Sequence, residues 1–200
     1  MKPTILLWLE RTLLVCGAVL ACWCVSVLLR AEFVRRMPVP PPVELPGDAG
    51  ERAPSASSGT MPTPRGAWLA RLSAPTAKLT ATVLEGSDDE TLAVAAGHIE
   101  STPLPGAEGN VGIAGHRDTI FRRVRDLHAG DPLIVTTRDG VFRYRVAKTS
   151  IVRPSDVWVL NDEGRPTLTL VTCYPFDFFG HAPKRFIVSA ELTSRERRTR

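Results

Sequence analysis

Thr169-Leu170-Val171-Thr172-Cys173-Tyr174-Pro175 is the stretch on which the reading of this chain turns. Its apolar and β-branched residues form a strand-type run that delivers a thiol and is then broken by proline. Cys173 is the only cysteine beyond residue 24. Upstream, Gly115-His116-Arg117-Asp118-Thr119 sets a histidine in a glycine-led turn; downstream, Ala182-Pro183-Lys184-Arg185-Phe186-Ile187-Val188 opens another strand-like run with an arginine. Thiol, imidazole and guanidinium are together the groups that acyl transfer through a thioester requires. A cysteine attacks as thiolate, and a thiol of pKa about 8.5 is only a few per cent ionised at neutral pH. His116 as imidazolium can stabilise that charge and then protonate a leaving amine. Arg185 is too basic to accept a proton, but its rigid fork of donors can stabilise an oxyanion or orient a backbone carbonyl.

The surrounding sequence is rich in short strands. Trp68-Leu69-Ala70-Arg71-Leu72 and Ala77 to Leu84 alternate with period two, and Gly86 ends the second. Ser87-Asp88-Asp89-Glu90 predicts a helix start, with Ser87 and Glu90 as a capping box, a short helix through Ala96 and a stop at Gly97. The three acids belong to that helix start, where the dipole favours negative charge, so no metal is expected. Asn110 to Gly115 reads as a glycine-punctuated strand leading to His116, and Phe121, Val124 and Leu127 mark a short amphipathic turn. Asp131 to Thr137 and Val141 to Val152, joined through Asp139-Gly140, predict a β-hairpin. Thr167 to Cys173 and Arg185 to Leu192 add two strands. Short strands without long βαβ units indicate a mainly β fold, a small barrel rather than a doubly wound sheet.

The folded unit is expected over residues 67–193, with appendages on both sides. Thr12 to Leu29 is an uncharged, mostly apolar run, long enough to cross a bilayer core of about 30 Å as a helix. Residues 1–36 therefore read as an uncleaved signal anchor; a cleaved signal peptide and a lipoprotein signal ending at Cys22 are the alternatives, the latter disfavoured by Leu20. Residues 37–66 contain eight prolines and a Ser-rich patch, the composition of an extended stalk. Residues 194–200 read as a basic tail, solvated or touching anionic lipid head groups. The net charge of +4 is concentrated in the membrane flanks and this tail, leaving a slight acidic excess between them. No basic stripe with interleaved aromatics appears, so nucleic acid is excluded as a partner. Cys16, Cys22 and Cys24 lie in the apolar span, leaving Cys173 without a disulfide partner in the folded unit. The arginines after the span do not favour an outside C-terminus by the positive-inside rule; the chemistry of the folded unit is what places it outside.

In these three stretches the chain resembles the sortases. Thr169-Leu170-Val171-Thr172-Cys173 matches their Thr-Leu-x-Thr-Cys signature, Ala114-Gly115-His116-Arg117-Asp118-Thr119 is similar to their histidine segment, and Arg185 stands where their arginine follows the cysteine. The Cys-Tyr-Pro-Phe run and Gly180-His181-Ala182-Pro183-Lys184-Arg185 look most like class D. The resemblance implies a closed eight-stranded β-barrel with a few short helices after an N-terminal transmembrane helix. It further implies a thiol transpeptidase acting on surface proteins with an LPxTG-like motif, without a cofactor. The acceptor would be the amine of a peptidoglycan precursor or a pilin lysine. His116, Cys173 and Arg185 are then the catalytic residues, with Thr172 and His98 as candidate substrate contacts; His128 and His181 fall in loop-like, exposed surroundings. Two thiol-enzyme rivals fit less well: L,D-transpeptidases keep histidine and cysteine in one short run, and papain-like hydrolases place the cysteine before the histidine on a helix. A non-catalytic anchored binding barrel has no need for the three residues together.

Overall fold

In the computed structural model, residues 3–36, 63–178 and 180–197 are described. Most of the expected stalk (37–62) and the last three residues of the expected tail lie outside them. The chain divides into two units, residues 1–37 and 38–200. In the first, helix α1 (Pro3–Arg36) contains a segment, Trp8–Arg30, long and apolar enough to cross a membrane.

The second unit is a closed barrel of eight strands: β1 (Trp68–Ala74), β2 (Leu79–Glu85), β3 (Ala96–His98), β4 (Asn110–Ala114), β5 (Pro132–Thr136), β6 (Gly140–Val152), β7 (Thr167–Tyr174) and β8 (Lys184–Arg197). Around the wall the order is β1-β2-β3-β4-β7-β8-β6-β5, and β1 pairs with β5 to close the ring. The β2–β3 and β4–β7 pairs are parallel and the rest antiparallel. Alternation supplies the interior: Leu72, Val83, Ile113, Leu133, Leu168, Leu170 and Val188 are almost entirely buried. Each contributes roughly 1.5–3 kcal/mol of transfer free energy. The β5–β6 hairpin forms as the sequence predicts, with Thr136 opposite Val141, but its connection is Thr137-Arg138-Asp139 and Gly140 is already the first residue of β6.

Three local expectations are corrected. The short helix α2 (Asp89–Val94) is capped by Asp88, whose side chain accepts from the Thr91 N–H at 3.0 Å; Ser87 instead donates to Glu100 at 2.9 Å, so there is no capping box. The Thr91 bond, chiefly, holds the Asp88 carboxyl below the ordinary carboxylate range. Gly97 is not a helix stop but the centre of β3. An added Cβ would sit 2.2 Å from the Gly86 carbonyl oxygen, so the parallel approach of β3 to β2 requires glycine. The supposed tail continues β8 to Arg197, because its alternating polar residues pair with the start of β6, Gly140 opposite Arg197. Arg195 within it pairs with Glu108 at 2.6 Å.

Candidate active site

The parallel β4–β7 pair does the essential positioning. Ala114 lies opposite Val171, so both strands run out at the same edge of the barrel. His116 follows Ala114 by two residues and Cys173 follows Val171 by two, which brings them level. The Gly115 N–H donates to the Val171 carbonyl at 3.1 Å, and the buried Thr172 hydroxyl donates to the Gly115 carbonyl at 2.7 Å. The histidine turn is thereby stitched to the cysteine strand from both sides.

The turn itself folds back, with the Phe121 N–H donating to the His116 carbonyl at 2.9 Å. This sets the fully buried Phe121 ring against Gly115, where an added Cβ would lie 2.6 Å from the ring. Glycine before the histidine is therefore a packing requirement. On the other side of β7, antiparallel β8 places Arg185 directly opposite Cys173, and directly opposed residues share a face of the sheet.

His116, Arg117, Asp118, Cys173, His181 and Arg185 line one open cleft of about 240 Å³, with Gly180 and Ala182 at its edge. The three residues singled out by the sequence, from separate strands, thus share one cavity. Cys173 is a free, half-buried thiol. The Arg185 Nη1 donates to the carbonyls of Ala182 at 3.3 Å and Lys184 at 3.1 Å, which fixes the guanidinium at the rim. Arg117, Arg185 and Asp118 give the cleft lining one excess positive charge with the imidazoles neutral.

The two candidate substrate contacts lie elsewhere. Thr172 is buried on the opposite side of β7 from Cys173 and serves the Gly115 carbonyl. His98 is 1% exposed. Its Nδ1 is 2.9 Å from Glu85, and its Nε2 is 3.0 Å from the Pro103 carbonyl and 3.2 Å from the Thr102 hydroxyl. It ties β3 to β2 and to the start of the β3–β4 loop. His181 is exposed, as expected, yet lines the cleft; its fold-back from the β7–β8 loop leaves no signal in the sequence. Arg117 and Asp118 belong to the histidine word, where nothing in the sequence sets them apart. Among the described residues no group of three or more His, Cys, Asp or Glu forms a metal-binding arrangement.

The Sortase domain family model matches residues 72–193, the greater part of the chain and nearly all of the barrel. The chain belongs to the sortase family. Sortase D of Bacillus subtilis is 38% identical over 107 residues, covering 53% of this chain and 54% of that protein. The chain spans about half the length of the curated relatives it matches first, 54% and 59%. Among solved structures, a Sortase D5 transpeptidase of Clostridium perfringens is 32% identical with a TM-score of 0.60, over 66% of this sortase and 82% of the other. Sortase E1 of Streptomyces coelicolor, solved with a tripeptide in its active site, is 31% identical with a TM-score of 0.60, over 66% and 91%. The closed barrel and the class D resemblance accord with these likenesses.

Proposed function

We propose that this chain is a membrane-anchored cysteine transpeptidase that joins proteins carrying an LPxTG-like motif to an amine. The observation that carries the reading is that Cys173 and Arg185 face each other across β7–β8 while the β4 turn delivers His116 to the same cleft. The Cys173 thiolate attacks the threonyl carbonyl of the motif, and Arg185 stabilises the oxyanion. His116, as imidazolium, gives its proton to the departing amine; the C–N bond breaks and a thioester remains on Cys173. An incoming amine then attacks the thioester, His116 takes up its proton, an amide forms and the thiolate is released. A peptidoglycan precursor or a pilin lysine supplies the chemistry the second step needs. α1 holds the enzyme in the membrane as a single span, with the barrel outside, where surface proteins and such acceptors are found.

The test uses the full chain in detergent micelles with LPxTG-like and LPxTA-like peptides and an amine. Mass spectrometry should show a peptide thioester on Cys173 and an amide product, both lost in Cys173→Ala. His116→Ala and Arg185→Ala should each lower turnover by about 10²-fold or more with the fold intact. No adduct across a broad peptide library overturns the transpeptidase reading; unchanged turnover in either variant removes that residue from the site.

A further inference from the structure

The loop between β7 and β8 supplies Gly180, His181 and Ala182 to the cleft, opposite the histidine turn. It contains little that would hold it by burial: Asp177, Phe178, Gly180, His181 and Pro183 are all exposed. Its described attachments to the chain after β4 are made by two arginines. Arg117, the residue after the candidate acid–base histidine, sends Nη2 to the carbonyl of Phe178 and, at 3.2 Å, to that of Gly180, and its guanidinium carbon is 5.9 Å from the centroid of the Phe178 ring. Arg125, in the 3₁₀ turn Arg122–Asp126, pairs with Asp177 at 3.2 Å and is 5.4 Å from the Phe176 ring centroid.

The two attachments are unequal. Asp177 is 83% exposed, and an ion pair of that kind contributes about 0–1 kcal/mol. Arg117 is half-buried, makes charge-assisted bonds to two successive stretches of loop backbone, and keeps Nη1 buried with no hydrogen-bond partner. A buried donor left unpaired costs roughly 1–3 kcal/mol, a penalty that a solvated surface arginine avoids by turning outward. Both bonds leave one nitrogen, Nη2, whose two N–H directions are fixed by the guanidinium plane, a geometry that the freely rotating ammonium of lysine does not hold.

We propose that Arg117 is a positioning residue of the transfer step: it straps the β7–β8 loop against the histidine turn and so sets the cleft wall past which the resolving nucleophile reaches the thioester. The proposal rests on the transpeptidase reading. An acyl-enzyme can be resolved by an amine, giving an amide and the free thiol, or by water, giving a carboxylic acid and the free thiol. A fixed wall that limits water favours the first outcome. Loosening it lets water compete while leaving Cys173, His116 and Arg185 in place.

Two measurements on the full chain in micelles decide the matter. Hydrogen–deuterium exchange of peptides spanning residues 176–183 should rise at least about tenfold in Arg117→Ala, with exchange in β7 and β8 and the thermal midpoint unchanged. With a thioester-forming peptide and a fixed concentration of amine, the ratio of hydrolysis to transfer should rise about tenfold in Arg117→Ala, stay raised in Arg117→Lys, and change less than twofold in Arg125→Ala. Unchanged loop exchange overturns the strap whatever the catalytic result. Raised exchange with an unchanged partition ratio overturns the role in transfer. If the unsubstituted protein forms no acyl-enzyme, the transpeptidase reading and the role in transfer fall together, and the exchange data still decide the strap.

Discussion

Tyr144 shows how much a single side chain can depend on its surroundings here. It is buried in the barrel, and burial, acting first, pushes its phenol up to about 12. An unfolded tyrosine titrates near 10. The folded pKa is the higher, so the neutral phenol's contribution to stability is complete below pH 10 and is lost as pH rises from 10 to 12. The loss amounts to about 3 kcal/mol. Denaturant midpoints measured between pH 8 and 12 should fall over that window, and Tyr144→Phe should flatten the part of the fall that belongs to this group. At the same scale, Cys173, His116 and Arg185 are legible in the sequence because reactivity requires particular atoms, and those atoms sit in distinctive words. His98 cannot be understood in that way. Its meaning lies in Glu85 and Pro103, which only the β2–β3 register and the following loop bring to it.

Among the elements, the glycine-led turn after β4 makes the sharpest prediction. Gly115→Ala drives a methyl into the Phe121 ring, and overpacking of this kind costs roughly 1–3 kcal/mol. The shift falls on the residue before His116, so turnover should drop more than stability does. Adding Phe121→Leu should recover part of the activity while creating its own cavity cost; equal activity in Gly115→Ala and the unsubstituted protein would show the turn to be pliant. Long alternating strands and the Asp-Gly hairpin are readable from sequence because period and turn chemistry are local. β3 is not: three residues, Ala-Gly-His, are too few for a period, and they become a strand only because β2 and β4 flank them. The polar continuation of β8 past Thr193 is likewise hidden, since β6 supplies the reason for it.

For the molecule as a whole, barrel closure is uneven. β6 and β8 pair from Gly140 opposite Arg197 to Val152 opposite Arg185, with two register shifts that let these long strands coil. The β1–β5 seam spans only Arg71 to Ser73 against Ile134 to Thr136. Native-state hydrogen exchange should therefore detect opening along β1–β5 at lower free energy than along β6–β8; the reverse order would show that the seam is held by side-chain packing rather than by its ladder. The same uneven ladder fixes where the ends of the barrel lie. Arg138 stacks 6.0 Å from the Trp68 ring centroid, and Gly140, two residues on, pairs with Arg197, so the first strand begins and the last strand finishes beside the β5–β6 turn. From Arg197 back to Arg185, opposite the thiol, is roughly 40 Å of extended strand at about 3.3 Å per residue. A peptide bridge across that turn would join the start of β1 to the end of β8, so that a barrel freed of α1 and the stalk could be reopened elsewhere as a circular permutant, and a bead or fusion partner attached at the end of β8 would leave the mouth of the cleft clear.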